Sequence, residues 1–184
     1  MDTTGDGNLD AWKLSAEEHN LSIAKSSANR LDFALLLKFF QNAGRFPSAT
    51  SAIAAELITE VAQQLGVEPS AVGAMSDRTL ERARAEIRNL CGFREATVED
   101  AERLTEWLRD QIVVIAPRSH DGMVSALETE CRGRGIEPPS AERVGRIVRS
   151  AIRAHEERLC NGTLATFFGE PRTPRCALAA GRFH

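Results

Sequence analysis

Hydrophobic residues recur along most of the chain with the period of an α-helix. Ile53, Leu57 and Val61 lie four positions apart, and Leu65 continues the series, which places all four side chains on one helix face. Residues 30–43 are apolar on more than one side, a pattern that favours a helix at the centre of a domain. The predicted helices cover about 15–26, 30–43, 53–65, 77–91, 97–116, 123–132 and 140–159.

Residues typical of helix ends agree with these limits. Ser15 and Glu18 have the spacing of a capping box, and Gly44, Gly66 and Gly92 each follow an apolar run, as glycines that end helices do. Ala, Leu, Glu and Arg dominate the composition and β-branched runs are few, which favours helix over sheet. The predicted fold class is all-α, with two small helix-turn-helix-like units joined by a short linker.

The segment from Pro117 to Gly122 is the predicted boundary between the two units, because proline ends the preceding helix. The loop over residues 133–139 is longer than the tight turn of most helix-turn-helix proteins. After Thr166 no periodicity persists. We therefore expect a flexible arm at 1–14, a first helical domain at 15–118, a second helical unit at 119–165 and a loosely ordered tail at 166–184.

Several classes of protein and of site are not expected. No segment approaches the roughly 20 apolar residues that span a bilayer, and the acidic, polar start is no signal peptide, so the prediction is a cytoplasmic protein with no membrane partner. The four cysteines have no CxxC spacing. Residues 2–10 resemble a calcium loop, but Lys13 stands where the loop requires glutamate. The sequence predicts no metal and no cofactor.

Positive charge is concentrated in two segments, although the whole chain has a formal net charge of −3. Residues 78–94 hold five arginines against two glutamates, and residues 141–184 hold eight against four. Guanidinium groups bind phosphates and guanine edges in a bidentate manner. The candidate DNA-binding residues are Arg78, Arg82, Arg84, Arg88, Arg94, Arg143, Arg146, Arg149 and Arg153.

The same residues allow two other interpretations. A solvated helix face carries ion pairs between positions i and i+4, and Glu142, Glu156 and Glu157 are available for such pairs. Residues 95–131 hold nine acids against three arginines. Together with the apolar central helix, this acidic segment suits a protein-interaction or dimerisation module. Composition alone leaves all three interpretations open.

A series of segments in fixed order carries a resemblance to a known family. The segments are 12–14, 30–40, 44–47, 61–67, 84–88, 92–95, 134–139 and the arginine-rich helix that ends at 156–158. Over about residues 10–159 the chain closely resembles the amino-terminal region of the replicative transposases of the Tn-three (TnpA) family. It departs from the family at Ala83, where a histidine is usual, and after Leu159, where the family continues as helix.

The resemblance implies sequence-specific binding to the terminal inverted repeats of a transposon by helical DNA-binding domains. In that family, a later RNase H-like core carries the acidic metal-binding residues, and nothing in this chain corresponds to that core. We therefore expect a non-catalytic fragment of a DDE-type transposase, nucleoid-associated in the cytoplasm, with double-stranded DNA as its partner. A homodimer within the transposase assembly is the alternative expectation.

Overall fold

The computed structural model of the chain describes residues 9–49, 52–111 and 119–167. These residues form helices and turns without a β-strand, so the all-α prediction is confirmed. The α-helices are α1 (Ala16–Ile23), α2 (Arg30–Ala43), α3 (Ala55–Leu65), α4 (Asp77–Leu90), α5 (Val98–Gln111), α6 (His120–Gly133) and α7 (Ala141–Phe167). Short 3₁₀ turns lie at Leu9–Trp12, Ser27–Asn29 and Pro69–Ala71. Among the helices of the described residues, none combines the length and the hydropathy of a membrane-spanning segment.

The predicted start of α1 and end of α2 follow from local chemistry. The Ser15 hydroxyl accepts a hydrogen bond from the Glu18 amide at 3.2 Å, and the Glu18 carboxylate accepts one from the Ser15 amide at 2.7 Å. This reciprocal pair satisfies two backbone donors that the first helical turn leaves free. Gly44 ends α2 with a φ of 69°, a left-handed conformation that glycine adopts without steric cost.

Other helix ends differ from the sequence prediction. Helix α1 ends at Ile23 rather than near residue 26, where the Ser22 hydroxyl donates to the Glu18 carbonyl at 2.8 Å, a local bond that serine forms readily in a last helical turn. Helix α7 continues to Phe167, past the predicted end at 159 and into the predicted tail. The predicted end of the fifth helix near residue 116 and the rest of the tail, 168–184, lie outside the described residues.

Helices α1 to α4 form a first group, and α2 lies at its centre, as the apolar pattern of α2 predicts. One side of it packs on α3 and on the 3₁₀ turn Leu9–Trp12, through a cluster that includes Trp12 and Val61. The other side packs on α4 through a cluster that includes Phe40 and Ile87. Residues 9–14 of the predicted flexible arm are packed against these helices: Trp12 is only 8% exposed, and the Leu14 amide donates to Gln64 Oε1 at 2.7 Å. Residues 1–8 of the arm lie outside the described residues.

Helices α5, α6 and α7 share a separate core. Leu104 and Leu108 of α5 are fully buried against Leu127 of α6 and Val148 of α7. The predicted boundary at residues 117–122 puts α5 in the first unit, whereas α5 packs with the helices of the second. The reason is that the apolar stripe of α5 faces α6 and α7, and only tertiary contacts reveal which neighbour covers such a stripe. The helix-turn-helix-like character of the units stays a prediction.

Backbone pairing joins the two groups between the ends of α4 and α6. The Arg94 amide donates to the Gly135 carbonyl at 2.9 Å, and the Glu137 amide donates to the Arg94 carbonyl at 2.8 Å. Gly135 has a φ of 63°, and a Cβ built there lies 2.8 Å from the Gly92 carbonyl oxygen. An ion pair between Arg45 and Glu128, 3.3 Å apart, also joins the two groups.

Candidate nucleic-acid interface

The outer face of α4 presents two arginines to solvent. Arg78 and Arg82 lie one turn apart and are both exposed, on the side of the helix opposite to the buried Ala83 and Ile87. Within the described residues, neither guanidinium group makes an ion pair or a hydrogen bond. Both are therefore available to an anion from outside the chain.

Two glutamates flank this face, and both are paired with other cations. Glu81 contacts Arg84 at 3.1 Å, and Glu86 contacts Lys25 at 2.6 Å. These contacts partly neutralise the carboxylates and hold them to either side of the outward arginines. The centre of the outer face of α4 therefore keeps a local positive charge.

Arg84 and Arg88, two of the predicted DNA-binding residues, make their contacts inside the protein. Their guanidinium carbons lie 5.5 and 5.9 Å from the centre of the Phe46 ring, within the range of cation–π attraction. The Arg88 side chain is 13% exposed and pairs with Glu137 at 2.7 Å. These contacts hold α4 against the α2–α3 connection and against the segment after α6.

Arg94 is also engaged within the fold, although its side chain is 54% exposed. Its two terminal nitrogens bind the two carboxylate oxygens of Asp100, one of them at 2.7 Å. The Thr97 amide and hydroxyl donate to the same carboxylate at 2.9 and 2.8 Å. The Arg94 hydrogen bond, with the Thr97 backbone bond second, holds the pKa of Asp100 far below its usual range. This cluster fixes the start of α5.

The second arginine row lies along one side of α7. Arg146, Arg149 and Arg153 fall within about 60° around the helix axis, and all three are exposed. Glu142 lies 3.8 Å from Arg146, and Glu157 lies 3.0 Å from Arg153, as the ion-pair interpretation of this face predicts for these two glutamates. Arg149 makes no ion pair within the described residues.

Arg143 differs from the row on α7. Its side chain is half-buried near the start of the helix, and its Nη2 donates to the Thr97 carbonyl at 3.5 Å. The nine predicted arginines thus do not form one surface. Five of them point outward on two helix faces, which are Arg78, Arg82, Arg146, Arg149 and Arg153.

Two further residues of the α4 face were not among the candidates predicted from the sequence. Ala85 and Asn89 continue the row of Arg78 and Arg82 at positions i+7 and i+11, and all four are exposed. These positions fall within about 60° of one another at 100° per residue. The signal that finds them is the helical period read on the polar face of α4, instead of a search for arginines alone.

The cysteines and acidic groups offer no competing site in the described part of the chain. No group of three or more His, Cys, Asp or Glu residues there is placed to hold a metal ion. Burial raises the pKa of the Cys131 thiol to about 11 and also raises that of Cys91, so neither is an activated nucleophile. The residues of the calcium-like loop lie almost entirely outside the described range.

A comparison with protein-family models matches most of the chain. A model of the family described as "Domain of unknown function (DUF4158)" matches residues 9–151. Because this match covers most of the chain, the chain belongs to that family. A search of curated proteins found no match.

Proposed function

We propose that this member of the DUF4158 family is a DNA-binding module that recognises the terminal inverted repeats of a transposon. It would do so as an amino-terminal part of a transposase, with no catalytic activity of its own, in association with the nucleoid. The resemblance of residues 10–159 to the amino-terminal region of Tn-three family transposases supports the proposal. The observation that carries it is the pair of outward arginine faces on α4 and α7.

The charges on these faces are available at low cost. The pairs of Arg146 with Glu142 and of Arg153 with Glu157 involve side chains that are 62–83% exposed. Such pairs contribute about 0–1 kcal/mol to stability, so a phosphate replaces the glutamate with little loss. Arg84, Arg88 and Arg94 are excluded from the proposed interface, because releasing them would break contacts that hold the fold.

Selection from a random duplex library, followed by titration, tests this proposal. We expect the selected sequence to match a terminal inverted repeat of a Tn-three family element and to bind more tightly than a scrambled duplex. Between about 50 and 200 mM salt, each arginine–phosphate contact contributes about −0.9 to the log–log slope, so four or five such contacts give a slope of about −3.6 to −4.5. The variant R149A should reduce the magnitude of that slope by about 0.9.

Arg103 provides a matched control for R149A. It is an exposed helix-surface arginine on α5, and unlike Arg149 it pairs with an acid, Glu99, with its side chain 60% exposed. Glu106 and Asp110 lie on the same side of α5. We expect R103A to leave DNA affinity and the salt slope near those of the parent protein. Equal affinity for the selected and scrambled duplexes would contradict specific recognition of inverted repeats. Absence of binding to any duplex would refute the proposal as a whole.

A protein-interaction or dimerisation module is the second candidate, and the acidic face of α5 favours it. Glu99, Glu102, Glu106 and Asp110 are all exposed on one side of this helix. Such a face repels the phosphates of a duplex and suits a basic protein surface. Light scattering after size exclusion, with and without DNA, distinguishes the two candidates. A stable dimer whose molar mass and dimerisation affinity do not change when DNA is added favours the second.

The absence of catalysis is also part of the proposal. Incubation of the chain with the selected duplex and Mg²⁺ or Mn²⁺ should leave the strands intact. Cleavage that follows the protein through purification would contradict the non-catalytic assignment. Because contaminating nucleases cut any duplex, the scrambled duplex serves as the control for that assay.

A further inference from the structure

The two arginine faces differ in ways that suit different contacts with DNA. On α4, Arg78 and Arg82 share their face with the short side chains of Ala85 and Asn89, and all four are exposed. The Asn89 side chain makes no hydrogen bond within the described residues. Short residues let a helix approach base edges closely, and arginine and asparagine are the side chains with specific bidentate partners there, guanine and adenine.

The face on α7 has another composition. Its three arginines lie between two glutamates on the same side of the helix, Glu142 and Glu157. Carboxylates at both ends repel phosphates beyond the arginine row, which restricts the row to a short run of backbone. Within residues 142–157 of this helix, no side chain has the amide chemistry that reads adenine. It therefore suits sequence-independent phosphate contacts, which position a protein on a duplex.

From this difference we infer that α4 enters the major groove and reads bases through Arg82 and Asn89, while α7 grips phosphates. This inference rests on the proposed function and names which of the two faces gives it specificity. The Cα atoms of Arg82 and Asn89 are seven residues apart along the helix, roughly 10 Å at 1.5 Å per residue. Because base pairs stack about 3.4 Å apart, the two side chains contact a guanine and an adenine about three base pairs apart.

The test uses the selected duplex and a series of its single-base-pair substitutions. For the parent chain, replacing the contacted G·C or A·T pair should weaken binding about 5- to 150-fold. In N89A, the penalty at one A·T position should fall to nearly one-fold while the others remain. In R82K, which keeps the charge but loses the planar fork, the penalty at one G·C position should fall, with the salt slope unchanged.

The variant R149A is the matched comparison on the other face. It should weaken binding to every duplex of the series by the same factor and keep each penalty ratio. All three substituted residues are exposed, and thermal unfolding by circular dichroism checks that each variant folds like the parent.

Three outcomes separate the claims. If N89A and R82K keep every penalty of the parent chain, α4 does not read bases and the inference is wrong. If the parent chain binds all duplexes equally, the inference fails although DNA binding stands. If it binds no duplex, both the inference and the proposed function fail.

Discussion

Replacing Asp100 with asparagine should destabilise the fold, since this carboxylate receives four hydrogen bonds. Two come from Arg94 and two from Thr97, and the Asp100 side chain is 5% exposed. Asparagine keeps one acceptor oxygen but turns an amide donor towards donors. A hydrogen bond to a charged group contributes about 1.5–3 kcal/mol, and the exposure of Arg94 favours the low end. We expect D100N to lose about 2 kcal/mol of unfolding free energy at pH 7.

The pH dependence gives this prediction a second measurement. The folded-state pKa of Asp100 is lowered, whereas an unfolded aspartate titrates near 3.9. The carboxylate therefore stabilises the fold above about pH 4, and this stabilisation is lost as the pH falls towards the folded-state pKa. Between pH 5 and pH 3 the difference between the parent chain and D100N should shrink by about 1 kcal/mol.

Urea denaturation followed by circular dichroism at pH 7, 5, 4 and 3 measures both effects. The control is E99Q, one position away, whose ion pair with Arg103 has side chains 69% and 60% exposed. This control should change stability by less than about 0.5 kcal/mol at every pH. A D100N curve that coincides with the parent at pH 7, or a difference that persists unchanged at pH 3, would refute the argument.

Two further substitutions test the packing. L127A removes a fully buried side chain from the core that α5, α6 and α7 share, and it should lower the free energy of unfolding by about 2–5 kcal/mol in urea denaturation. The control V98A, at a residue 68% exposed, should change the free energy of unfolding little. Equal effects of the two substitutions would contradict the core assignment. G135A should lower the free energy of unfolding by more than about 1 kcal/mol, because the φ of Gly135 is 63° and an added Cβ meets the Gly92 carbonyl oxygen. The control G133A should be tolerated, because a Cβ added there meets open space. A G135A variant as stable as the parent chain would contradict the strain expected at this position.

Local sequence was a good guide wherever one segment contains all the interacting groups. The capping box of Ser15 and Glu18 and the end of α2 at Gly44 depend on neighbours within a few residues, so spacing alone predicts them. The central position of α2 was also readable, because a helix that is apolar on several sides has to be covered on several sides. The burial of Trp12 was missed because its contact surface comes from α3.

The candidate site was less accessible to the same reasoning. Arg82 and Arg84 lie in the same arginine-rich run, and the sequence pattern treats them alike. The structure leaves Arg82 exposed and places Arg84 over the Phe46 ring. Similarly, Arg88 looks outward from its spacing, but it pairs with Glu137, which lies 49 positions away.

By itself, the sequence determined that this chain is helical, where most helices begin or end, and which faces carry arginine, because these properties depend on backbone preference and on spacing within one helix. Only the tertiary structure decided which arginines remain available and which group of helices α5 joins. An arginine is engaged or free according to the acid or ring that another segment brings within a few ångströms, and a stripe is covered by whichever apolar face packs against it.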